Sequence, residues 1–159
     1  MRMLIGVWLA AFAVRASAQT SRGQPKTPYA IGDFAKLRWL EGSWSGTTDG
    51  SARDFSERCR LVNDTTMEIT FYADSAFAHE TVSGRVYLSV GRIFHTMGPD
   101  RWGATNVDDN GAYFVPQTNT QSSLMWKRVS NDEWTATLRS GFLGREHVTV
   151  YRMRRARPR

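Results

Sequence analysis

The sequence predicts an all-β fold: an antiparallel meander of about ten strands closed into a barrel, with one short N-terminal helix closing one end. Three observations predict it. From Ser43 onward, apolar and polar residues alternate with period two over about 110 residues, the signature of half-buried strands. The apolar segments are short, consecutive and separated by turn chemistry at Asn63-Asp64, Asp74-Ser75, Val90-Gly91, Asp109-Asn110-Gly111 and Ser130-Asn131-Asp132. A single helical stretch precedes them, with no second helix and no internal repeat.

In chain order, Met1-Arg2-Met3 gives a positive start, Leu4 to Val14 is apolar, and Ala16-Ser17-Ala18 matches a small-x-small cleavage site. Residues 1–18 are expected to be a signal peptide cleaved near Ala18/Gln19, because the apolar run falls well short of the ~20 residues that span a bilayer. That address implies a periplasmic or secreted protein. Residues 19–32 read as a flexible leader, 33–155 as one barrel domain and 156–159 as a basic tail. Asp33 is expected to N-cap a helix over 34–40 that stops at Gly42. Strands follow at 43–48, 54–62, 66–73, 78–90, 92–98, 101–107, 111–116, 122–129, 133–140 and 146–154.

Alternation also assigns faces. Phe55, Glu57, Cys59 and Leu61 face in on the second strand, and Met67, Ile69 and Phe71 on the third. A three-residue turn at Asn63-Asp64-Thr65 pairs Leu61 with Met67, Cys59 with Ile69 and Glu57 with Phe71. On the fourth strand Glu80, Val82, Gly84, Val86 and Leu88 face in, and a two-residue turn at Val90-Gly91 sets Val86 opposite His95. Trp134, Ala136 and Leu138 face in on the ninth strand. On the tenth, either Val148, Val150 and Arg152 or His147, Thr149, Tyr151 and Met153 do.

Charge excludes more than it suggests. The full chain carries 21 basic and 15 acidic residues, a net +6. Five of the arginines fall in the last eight residues, so the excess belongs to the tail, which could touch an anionic lipid surface. Basic residues elsewhere do not interleave with aromatics on one face, so no nucleic-acid partner is expected. One cysteine excludes an intrachain disulfide, and with three scattered histidines it excludes a structural zinc site; no metal is expected. The oligomeric state is not legible.

Glu57 and Glu80 are the chemically sharpest positions, because both are expected to face an apolar interior at the level of Phe71. They form either the polar end of a ligand pocket or an acid/base pair, or else are carboxylates satisfied by arginine or backbone. His95 is an inward histidine beside Val86, with Gly84 leaving space; it is a hydrogen-bonded core residue or a ligand contact. Trp126 completes the interior candidates. No Ser-His-Asp spacing, phosphate loop or metal-ligand cluster is present, and no catalytic residue is assigned.

Leu37-x-Trp-Leu-x-Gly-Ser-Trp-x-Gly46, the early glutamate on the second strand and the closing Val150-Tyr-x-Met-x-Arg155 resemble a group of exported bacterial lipocalin-like barrels. The opening run is also similar to that of the nitrobindin family, ten-stranded barrels that bind haem. The resemblance implies that Trp44 closes the barrel floor and stacks on an arginine of the last strand, Arg152 or Arg154. It also brings haem into consideration, although His147 is only loosely placed as its ligand and no cofactor is expected. The segment Tyr113-Phe-Val-Pro-Gln-Thr-Asn-Thr-Gln121 keeps a proline of the exported group but lacks its acid and histidine. The leading expectation is an exported binder of a small, mostly apolar molecule. The alternatives are an envelope interaction protein acting through its surface and arginine-rich tail, and a haem-binding barrel.

Overall fold

Period-two patterning over this length suits a sheet that curls until its first and last strands meet. The computed structural model describes residues 27–49, 55–117, 122–142 and 145–156; the expected signal peptide, most of the leader and the tip of the tail lie outside them. A short helix α1 (Ile31–Ala35) and a 3-10 turn (Arg38–Leu40) precede ten strands. These are β1 (Gly42–Thr48), β2 (Phe55–Asn63), β3 (Thr66–Tyr72), β4 (Glu80–Ser89) and β5 (Arg92–Met97), then β6 (Asp100–Asp108), β7 (Gly111–Pro116), β8 (Ser122–Arg128), β9 (Glu133–Phe142) and β10 (Arg145–Arg155). Each strand pairs antiparallel with the next, and β1 pairs with β10, so the barrel is closed and has no free edge.

The registers around β2–β3 and β4–β5 match the alternation argument: Glu57 lies opposite Phe71, Cys59 opposite Ile69, and Val86 opposite His95. The β2–β3 turn reaches this register differently. Asn63 pairs with Thr66 around Asp64-Thr65, and a bulge after Leu61 supplies the odd residue. Val90 and Gly91 form the two-residue turn with φ of 48° and 67°, the left-handed pair that matches strand twist. The Asp109-Asn110 turn is one residue earlier than the Asn-Gly signal suggests, with Gly111 already paired in β7.

Four expectations require correction. Asp33 does not N-cap the helix: Ala30 does, and the Asp33 carboxylate reaches back from the first turn to accept the Ala30 N–H at 2.9 Å. The helix therefore begins at Ile31, inside the segment expected as leader, and ends at Ala35. Glu80 does not face in. The β3–β4 loop is wound by Asp74, whose carboxylate accepts the backbone N–H groups of Ala76, Ala78 and His79. A bulge then pairs Tyr72 with Glu80 and Phe71 with Val82, which turns Glu80 to solvent. Gly84 makes no room for His95; a Cβ there would lie 2.1 Å from the Thr96 carbonyl oxygen, so the glycine permits close strand approach.

The fourth correction concerns Trp44. Met153 is buried and Tyr151 half-buried, so the odd residues of β10 face in while Arg152 and Arg154 face out. Those two arginines pair with Asp49 and Glu133. Arg155, directly across from Trp44 in register, stacks its guanidinium 4.2 Å above the indole. Trp44 also donates Nε1–H to the Leu40 carbonyl at 2.7 Å, tying the 3-10 turn to β1. Phe34, Leu37 and Leu40 join Trp44, Met67 and Val86 in one buried core.

Candidate functional site

Packing fills only part of the interior. A cavity of about 830 Å³ opens among the inward faces of the strands, walled by rings such as Phe55, Phe71, Trp126 and Trp134 with Ile69 and Leu138 between them. Phe55 packs against Phe71 (6.1 Å between centroids) and edge-on to Tyr151 (5.9 Å), and Trp126 is edge-on to Trp134 (6.2 Å). Gly46 makes this possible on β1, since a Cβ there would lie 2.3 Å from the Phe55 ring.

Apolar surface dominates this wall, and two of its buried polar groups matter most, Glu57 and His95. Glu57 is 3% exposed, and its one hydrogen bond among the described residues comes from Cys59, whose thiol donates to Oε1 at 3.0 Å. The two are next-but-one neighbours on one strand face, so the pleat itself brings them together. Neither arginine nor backbone satisfies the carboxylate. Burial therefore pushes the Glu57 carboxyl up to about 7, with the Cys59 hydrogen bond acting the other way. Burial also pushes the Cys59 thiol well above its usual value, making it a poor nucleophile.

His95 is 1% exposed, stacked on Trp102 (5.4 Å, 23°) and edge-on to Trp126 (5.0 Å). Its Nδ1 has no hydrogen-bond partner, and burial lowers its pKa to about 4, with the Arg85 backbone acting the other way. The imidazole is neutral at physiological pH. Trp102 donates its indole N–H to the Ser122 carbonyl at 2.9 Å, pinning β6 across the wall.

Of the interior candidates, Glu57, Phe71, His95 and Trp126 meet at the cavity. Val86 is buried but lies in the packed core away from the lining, and Glu80 is on the outside. His147 is exposed on β10 and does not line the cavity. Asp100, at the start of β6, does line it and escaped the sequence reading, because that strand was expected to begin one residue later. Tyr151 lines it too; the parity of β10, undecidable from its mixed pattern, was the missing signal. Among the described residues no group of three or more His, Cys, Asp or Glu could hold a metal ion.

The closed ten-stranded antiparallel barrel has the fold of the lipocalin-like (calycin) small β-barrels. Among solved structures it is similar to a point mutant of the fluorescent protein UnaG, with a TM-score of 0.55 at 13% identity over 77% of this chain and 99% of that one. The wild-type UnaG structure gives a TM-score of 0.48 at 12% identity, over 73% and 96% of the two chains. No protein-family model matches the chain, and no curated protein matches its sequence.

Proposed function

We propose that this protein is exported and holds a small, mostly apolar molecule inside its barrel, which α1 and the 3-10 turn close at one end. The cavity carries the reading. Its volume of about 830 Å³ lies within the ~300–1,000 Å³ of small-molecule sites, and its wall combines aromatic surface with a few fixed polar groups. Burial of Phe34, Leu37 and Leu40 beneath Trp44, none of them at the lining, supports the closed end. The sequence of residues 1–18 supports export.

Native mass spectrometry of residues 19–159, purified from a bacterial periplasm without detergent, tests this together with titration of the neutral dye Nile red. A reproducible adduct lost on denaturation, or saturable dye emission, supports it. A bare polypeptide mass together with no dye binding overturns it.

A haem reading has one observation in its favour, a neutral histidine at the cavity with an unpartnered Nδ1. Haemin addition that gives a Soret band in the wild type but not in His95→Ala would replace the apolar ligand with haem; no band ends that reading. Envelope contact through the arginine-rich end finds three of its five arginines already engaged, with Asp49, Glu133 and Asp132.

A further inference from the structure

An apolar ligand alone leaves Glu57 without a role. The chain carries 21 lysines and arginines, yet among the described residues lining the cavity there is none. Among the described residues, the charged side chains on that wall are both acids, Glu57 and Asp100. Alternation explains the exclusion: Arg58 and Arg60 flank Cys59 on β2 and point outward. His95 adds no positive charge, since burial holds it neutral. One oxygen of Glu57 takes the Cys59 thiol, and the other has no partner among the described residues.

We infer that the ligand of this cavity is a hydrophobic cation, an apolar or aromatic amine whose ammonium group meets the Glu57 carboxylate. This rests on the proposed function and narrows it to one ligand class. A buried carboxylate without a cation is costly, and a ligand that brings the cation removes that cost on binding. A neutral ligand leaves the acid unpaired, and an organic anion sets like charges together where no base among the described lining residues offsets them. The neighbouring surface suits the same ligand. Phe55 lies two residues from Glu57 on the same face, grouped with Phe71 and Tyr151, and aromatic faces attract cations while covering an apolar body.

The test is isothermal titration of the purified protein at pH 7.5 with three molecules sharing one body: naphthylmethylamine, naphthylmethanol and naphthoic acid. A charge-assisted hydrogen bond of the usual strength predicts that the amine binds about tenfold or more tighter than the alcohol. The acid binds more weakly than the alcohol. Glu57→Gln brings the amine to the level of the alcohol, and its cooperative urea unfolding at the same pH shows that the variant is folded. An alcohol that binds as tightly as the amine, or an acid that binds best, overturns the cation and leaves the cavity reading standing. An amine preference that survives Glu57→Gln overturns the role of Glu57. Binding of none of the three overturns this inference, and the cavity reading falls with it only where Nile red also fails to bind and the native mass is bare.

Discussion

Replacing Glu57 with glutamine exposes two buried titrations that hide one another in the wild type. In the folded barrel the Glu57 carboxyl titrates at about 7 rather than 4.5, so between those values the native state holds a proton that the unfolded chain has lost. Stability from this group is therefore lost as pH rises, by about 3 kcal/mol once the pH passes 7. His95 works the other way. Its pKa falls from 6.5 to about 4, so the unfolded chain takes up a proton that the native state refuses, and stability is lost as pH drops below 6.5. The size is again about 3 kcal/mol. Between pH 4.5 and 6.5 the two slopes oppose, and the wild type should be nearly flat. Glu57→Gln removes one of them. Its stability should climb by about 2 kcal/mol over that interval and stay nearly level to pH 8, where it exceeds the wild type by about 3 kcal/mol. Urea unfolding at pH 4.5, 5.5, 6.5 and 8, followed by tryptophan emission, measures this directly. A variant as flat as the wild type across the interval, or one that weakens toward pH 8, would refute the assignment of buried, unpaired groups at 57 and 95.

Five further substitutions test the frame. Arg155→Ala removes the guanidinium over Trp44 and its bonds to the Glu41 and Asn131 carbonyls, and should cost about 1–2 kcal/mol in urea unfolding. Arg152→Ala and Arg154→Ala, which break only exposed ion pairs, should stay within about 0.5 kcal/mol. Val90, 97% exposed with φ of 48°, strains a β-branched residue for no packing return, and Val90→Asn should raise stability by about 1 kcal/mol in thermal melts. Gly84→Ala drives a methyl into the Thr96 carbonyl and should lower stability by about 1–3 kcal/mol; an unchanged melting temperature would show that β4 and β5 do not approach as closely as described.

The strands were legible because each carries a solvated face against a buried one, and a two-residue turn such as Val90-Gly91 leaves the register no freedom. Glu57 and His95 could be aimed inward on that basis alone. Glu80 could not be placed, because parity counted across a loop survives only if the loop adds no bulge. The Asp74 carboxylate winds seven residues between β3 and β4, and a bulge follows at once. Arg155 escaped for a related reason: β10 alternates polar residues with both apolar and charged ones, so neither face announces itself. The cavity was not legible at all. Alternation says which side chains point inward, and only their packing across the barrel decides whether they meet. Met67 and Val86 share a packed core with Phe34, Leu37 and Leu40, whereas Ile69 and Leu138 line open space.

That division between a packed part and a hollow part bears on what Glu57 is for. In the packed part every large side chain finds apolar neighbours, and an acid there would be a plain defect. At the cavity the same acid costs stability in the empty barrel and recovers it when a cation arrives, which couples affinity to the burial that makes the site expensive. A glutamine would spare the barrel that cost above neutral pH and would cost it the ability to tell an amine from an alcohol. If Glu57→Gln is the more stable protein at pH 8 and also the weaker discriminator, the two results together identify position 57 as one where binding, rather than folding, sets the residue.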